Sequence, residues 1–270
     1  MKVLSHCCAI PSVAKDYSQK LKQYFNESWT KNGWQVEFSN QETPIIGKKK
    51  QLFDNIHSYY EKEIIRLKPD PKDIIDAKDR NYLIFERFFF ANTLPDFRGL
   101  ICETDIINKN FKIDDLKLTE NDNNIILYED SNPSAVFFPN RESISNFIDL
   151  LIEVTSSQDF LNYRLEKINS FYPGKLIMLM EFMVIRFLIE NDISHFSLNV
   201  QNFVKNLIIR NEVLYQKDFY ETDLINNYKL FHINQAASGQ CNKNEDLIKK
   251  YPHNQDRRIA LIEYMLTKVK

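Results

Sequence analysis

Two short apolar runs each end in a pair of acids. Leu100-Ile101-Cys102 runs into Glu103-Thr104-Asp105, and Ile125-Ile126-Leu127-Tyr128 runs into Glu129-Asp130. Runs of this kind read as buried strands, and in α/β sheets ligands bind beyond the carboxyl ends of the strands. If the two strands are neighbours, their carboxylates meet at one edge, where they repel one another unless a hard cation lies between them. Mg²⁺ or Mn²⁺, held by a few carboxylates and completed by substrate phosphate oxygens, is the chemistry such a set serves. Glu103, Asp105, Glu129 and Asp130 are therefore the candidate metal ligands, and the expected substrate carries phosphate.

Two reaction classes use that arrangement. Pro95-Asp96 followed by Glu103-Thr104-Asp105 resembles the PD…(D/E)xK pattern of restriction-type nucleases, with Asp105 standing where that pattern has lysine. The resemblance implies phosphodiester hydrolysis with Asp96, Glu103 and Asp105 as catalytic residues. Tyr128-Glu129-Asp130-Ser131 is similar, in degenerate form, to the DxD metal motif of glycosyltransferases, and that similarity implies sugar transfer from a nucleotide sugar. Two basic clusters are placed to hold an anionic substrate: Lys48-Lys49-Lys50 at the start of one helical segment and Arg257-Arg258 at the start of the last. Helix starts favour anions through their free amides and the helix dipole. The competing expectation is a non-catalytic intracellular protein, an effector or an interaction component whose partner is another protein.

Composition narrows the field further. Glycine occurs five times in 270 residues, at Gly33, Gly47, Gly99, Gly174 and Gly239, each isolated from the others. A Walker A loop, a GxGxxG turn and a kinase glycine loop each need closely spaced glycines for backbone amides to close on phosphate, so all three are excluded. The formal net charge of -2 gives no bulk attraction to nucleic acid or anionic lipid. None of the histidines His6, His57, His195, His232 and His253 falls in HExxH spacing, and the cysteines form no CxxC pair, which leaves zinc chemistry without a motif. Adjacent Cys7 and Cys8 do not make a spaced disulfide framework, and the opening MKVLSHCCAIPSV is too polar for an export signal. Leu176 to Ile189 is apolar but short and carries Glu181 and Arg186, which predicts a buried helix and no membrane insertion. These features point to a soluble protein of the cytoplasm, or of a host-cell interior for an effector.

The elements that must position these residues follow from periodicity. Lys2 to Ile10 reads as a strand, Val13 to Ser28 as a helix closed by Gly33, and Trp34 to Phe38 as an alternating strand, a βαβ-like opening. Leu52 to Leu67 and Ile74 to Thr93 read as helices, and the strands at 100–102, 125–128 and 135–138 follow. Beyond a helix at 142–154, the spacing predicts helices only, including Asn199 to Gln216 and Leu224 to His232. The expectation is a mixed, helix-rich α/β fold: residues 1–139 carry a short, partly parallel sheet, and 140–270 form a helical layer or subdomain packed on it.

Overall fold

A computed structural model of the chain describes residues 1–6, 15–39, 42–67, 82, 84–116, 125–127, 135–171, 180–191, 198–200, 204–206, 229–232, 259, 262, 263 and 266. In chain order its elements are β1 (Lys2–His6), α1 (Lys15–Lys31), β2 (Gln35–Ser39), α2 (Gly47–Leu67), α3 (residues 84–93), β3 (Gly99–Cys102) and β4 (Ile106–Asn108). They continue with β5 (Ile125–Leu127), β6 (Ala135–Phe138), α4 (Arg141–Ser156), α5 (Gln158–Phe171), α6 (Met180–Glu190), β7 (Leu198–Val200), β8 (Val204–Asn206) and β9 (Leu230–His232).

The βαβ opening forms because α1 places Leu21, Phe25 and Trp29 four residues apart on one buried stripe. Gly33 ends that helix at φ 84, a left-handed conformation that glycine adopts without steric cost. The next residue, Trp34, donates its backbone N–H back to Trp29 O at 3.2 Å and turns the chain into β2. β2 then pairs in parallel with β1, from Lys2 opposite Gln35 to His6 opposite Ser39.

The main sheet has the order β2-β1-β3-β6-β5-β7. β1 and β3 are parallel, β6 is antiparallel to both β3 and β5, and β7 is parallel to β5. Strands β1, β2, β3, β5 and β7 therefore run one way, with β6 reversed among them. A second, small sheet joins β4, β9 and β8.

Both faces of the main sheet are covered, as a largely parallel sheet requires. Alternation along the strands sends Leu4, Ile101, Val136 and Phe138 to one face, where they meet Leu52 and Ile56 of α2, Phe85 and Phe88 of α3 and Phe147 and Leu151 of α4. Val3, Leu100 and Phe137 point to the other face, against Phe25, Trp29, Trp34 and Phe111. There the two indoles meet edge to face at 5.4 Å, and each N–H reaches a backbone carbonyl, Trp29 to Ile106 O at 2.9 Å and Trp34 to Phe111 O at 3.0 Å. Burying an indole is favourable when its one polar atom finds such a partner.

The mixed α/β class and the partly parallel sheet agree with the sequence reading. Beyond residue 140, three segments differ from it. β7 and β8 lie within 199–216 or at its border, and β9 lies within 224–232, all read from periodicity as helix. The chain beyond residue 140 thus returns strands to both sheets. The apolar stretch ending near Ile189 does form a buried helix, α6, with Met183, Val184, Ile185, Phe187 and Leu188 inside. Among the described residues no helix is long and apolar enough to cross a membrane.

At the start of α4, Asn140 caps the helix by accepting from Ser143 N at 2.8 Å, while Ser143 Oγ lies 3.4 Å from Asn140 N. Removing a cap of this type costs about 1 kcal/mol. Urea denaturation of Asn140→Ala is expected to show that loss, with Asn140→Asp close to wild type; equal stability of all three would remove the cap from the account of α4.

Candidate functional site

The site begins with burial. Gly99 to Cys102 are fully enclosed, so β3 can end only where polar residues take the chain out of the core, and that exit is Glu103-Thr104-Asp105. The turn closes with a 3.2 Å bond from Ile106 N to Glu103 O, and β4 follows at once. Ser5, opposite Cys102 in the β1–β3 pairing, places its Oγ 3.0 Å from Thr104 Oγ1, tying the turn to the end of β1.

This position in the sheet is distinctive. From β1 the chain crosses through α1 to β2 on one side, whereas β3 lies on the other side of β1. Strand order reverses between β1 and β3, and the crevice beyond the carboxyl ends of strands at such a reversal is where open α/β sheets bind ligands. Glu103, Thr104 and Asp105 follow the carboxyl end of β3 at that reversal.

Arg87 of α3 lies beside the turn. Its Nη1 is 3.8 Å from Glu103 Oε1, with side-chain exposures of 4% for Arg87 and 34% for Glu103. The guanidinium sits 5.2 Å from the ring centroid of Phe88. Burial pushes the Cys102 thiol far up from its ordinary value, and the Arg87 charge opposes that shift in part, so Cys102 is a packed core thiol and not a nucleophile. Asp105 is half-buried, with Oδ1 enclosed.

The four acids proposed from sequence do not leave adjacent strands. Ile101 and Leu127 both pair with Val136, so β3 and β5 end at the same level with β6 between them. Two strand spacings of roughly 4.8 Å each separate them. Glu129 and Asp130 themselves lie outside the described residues, as do Arg257, Arg258, Cys7 and Cys8. Among the described residues no group of three or more His, Cys, Asp or Glu is gathered as a metal site.

Asp96 sits elsewhere. It is exposed in the turn before β3, at the amino end of the strand whose carboxyl end carries Glu103, so the length of β3 separates the two halves of the nuclease-like pattern.

Nor do the three lysines form one cluster. Consecutive helical positions point about 100° apart, and each lysine finds its own acid. Lys48 reaches Asp149 at 2.6 Å on α4, Lys50 reaches Asp54 at 2.5 Å, and Lys49 turns inward to a buried ion pair with Glu86. Around that pair, Lys49 donates to Thr43 O at 2.6 Å, and Glu86 accepts from Thr43 N at 2.6 Å and Thr43 Oγ1 at 2.7 Å. Lys49 is thus a structural cation, not a phosphate ligand presented to solvent.

Arg87, Ser5 and the partners Thr43 and Glu86 that engage Lys49 were not singled out by sequence. The signal for two of them was present: Glu86-Arg87 is a charged pair inside the run Leu83 to Phe90, and charges in a buried apolar helix require partners.

Fold and site together define an open, mixed α/β sheet with an acid-bearing turn at its switch point. No protein-family model and no curated protein matches the chain. Solved structures similar to it include a glycosyltransferase involved in the glycosylation of the major capsid of PBCV-1, with 11% identity and a TM-score of 0.43 over 97% of this chain and 100% of that one. Another is the glycosyltransferase GlyE of Streptococcus pneumoniae TIGR4, with 11% identity and a TM-score of 0.44, where the match takes in all of this chain and 65% of the other.

Proposed function

We propose that the protein transfers a sugar from a nucleotide sugar, with Glu103 and Asp105 holding Mg²⁺ or Mn²⁺ against the donor's diphosphate. The observation that carries this reading is the acid-x-acid turn at the carboxyl end of β3, beside β1, where strand order reverses. Acid-x-acid is the spacing of the DxD motif, and here it falls at Glu103-Thr104-Asp105, a better match than Glu129-Asp130.

The donor set fits such a cation. Mg²⁺ is held by one or two carboxylates plus phosphate oxygens, so two acids suffice once a diphosphate is present. When bound, the cation would stabilise charge on the departing diphosphate. The chain lacks a glycine cradle for phosphate, and this makes neutralisation by a cation and side chains the available route. Glu129 and Asp130 follow a parallel strand that leaves the same edge, and in this reading they belong to the wider site. Nuclease chemistry is less well supported, because Asp96 stands apart from Glu103 and the lysines that would track a nucleic-acid backbone are engaged by acids.

Thermal unfolding with Mn²⁺ and a panel of nucleotide sugars tests the assignment. A ligand at one hundred times its dissociation constant stabilises by about 2.7 kcal/mol, or roughly 5–10 °C for a chain of this size. The expected result is a shift that needs both Mn²⁺ and a nucleotide sugar and is lost in Glu103→Ala and Asp105→Ala. An equal shift in both variants would place the site elsewhere, and no shift in the wild type would count against nucleotide-sugar binding.

A further inference from the structure

The charge beside Glu103 has a role in that site. We propose that Arg87 is an electrostatic gate on Glu103: without ligand, its buried guanidinium holds the place that a divalent cation would take, so free cation binds weakly and tight binding waits for phosphate. This rests on the cation reading of Glu103 and Asp105 given above.

Two observations support the gate. Arg87 is almost fully enclosed, yet Nη1 lies 3.8 Å from a Glu103 carboxylate that is itself one-third exposed, so the two meet at the boundary between core and solvent. The guanidinium is packed against Phe88, and its neighbour Glu86 is committed to Lys49 and Thr43, so the helix segment that carries Arg87 is fixed.

A guanidinium at that distance does for Glu103 what a cation would do. Bringing a doubly charged ion to the same carboxylate sets it against a buried positive charge that water screens poorly. A diphosphate arriving with the ion supplies negative charge to both cations, and the repulsion falls. The arrangement thereby favours the cation–diphosphate complex over free cation.

The test is calorimetric titration of the full chain with Mn²⁺ alone. In Arg87→Gln the repulsion is removed, and the dissociation constant for Mn²⁺ is expected to fall at least about fivefold. Lys62→Gln, which removes one exposed charge from α2, is expected to leave it within about twofold, because exposed charges are screened. If Arg87→Gln does not fold, Arg87→Met carries the test, since it keeps an unbranched side chain in the apolar setting beside Phe88 while removing the charge; its affinity for Mn²⁺ must likewise rise by about fivefold or more. Unchanged or weaker Mn²⁺ binding in a folded Arg87 variant would overturn the gate while leaving the cation site standing. Absence of Mn²⁺ binding in wild type and variant alike, with or without uridine diphosphate, would overturn the cation site itself.

Discussion

Lys49→Met is expected to lower the stability of the protein by about 3–5 kcal/mol, the range for breaking a buried ion pair from one side. The two side chains are 4% and 3% exposed, so water cannot take over the role of the missing ammonium. Glu86 would retain its bonds from Thr43 N and Thr43 Oγ1 but lose its counter-charge, and Thr43 O would lose the donor that Lys49 supplies at 2.6 Å. An uncompensated carboxylate in the core is the costly state, more so than the absence of the pair. The double variant Lys49→Met with Glu86→Leu is accordingly expected to recover a large part of the loss. Urea denaturation of wild type, both single variants and the double variant closes the cycle. A loss below about 1 kcal/mol in Lys49→Met would mean that the pair behaves as a solvated surface pair.

The same network explains why the basic cluster was misleading in sequence. Three consecutive lysines read as one patch only if their side chains share a direction, and a helix denies them that. Once α2 lays Leu52 and Ile56 on the core, its rotation is set, and Lys49 falls on the buried side while Lys48 and Lys50 remain outside. What periodicity could resolve was local. The helical spacing of Leu21 and Phe25, the glycine stop at Gly33 and the strand Ala135–Phe138 were all legible.

Pairing between distant segments was not legible. β4 was hidden in a polar connection because a three-residue strand shows no alternation, and its partner β9 lies more than one hundred residues away. The insertion of β6 between β3 and β5 is likewise a matter of tertiary pairing, and it separates the two acid-tipped strands that a reading in chain order would set side by side. Chemistry at the strand end was visible as residue types, but its setting beside β1 and Arg87 required the sheet order.

Gly99→Ala is the second variant with a large expected effect, and it acts on the strand pair that builds the crevice. A Cβ at position 99 would overlap the carbonyl oxygen of Lys2 and lie 2.8 Å from its carbonyl carbon. These are backbone atoms of the neighbouring strand, so no side-chain rotation can relieve the contact. Gly99 faces Lys2 at the start of the β1–β3 register, and Lys2 N donates to Arg98 O at 3.3 Å just before it. Relief must come from moving one strand away from the other, which disrupts that register and the two cores it divides. Overpacking typically costs 1–3 kcal/mol, and a clash confined to backbone belongs at or above about 3 kcal/mol. The expected signature is a lower melting temperature together with faster amide exchange in β1 and β3 than in α4. Wild-type exchange in both strands would show that the sheet absorbs the extra methyl elsewhere. Because Gly99 stands at the opposite end of β3 from Glu103, an effect on ligand binding that follows the exchange in β1 and β3 would tie the crevice to the strand register and not to side-chain contact with position 99.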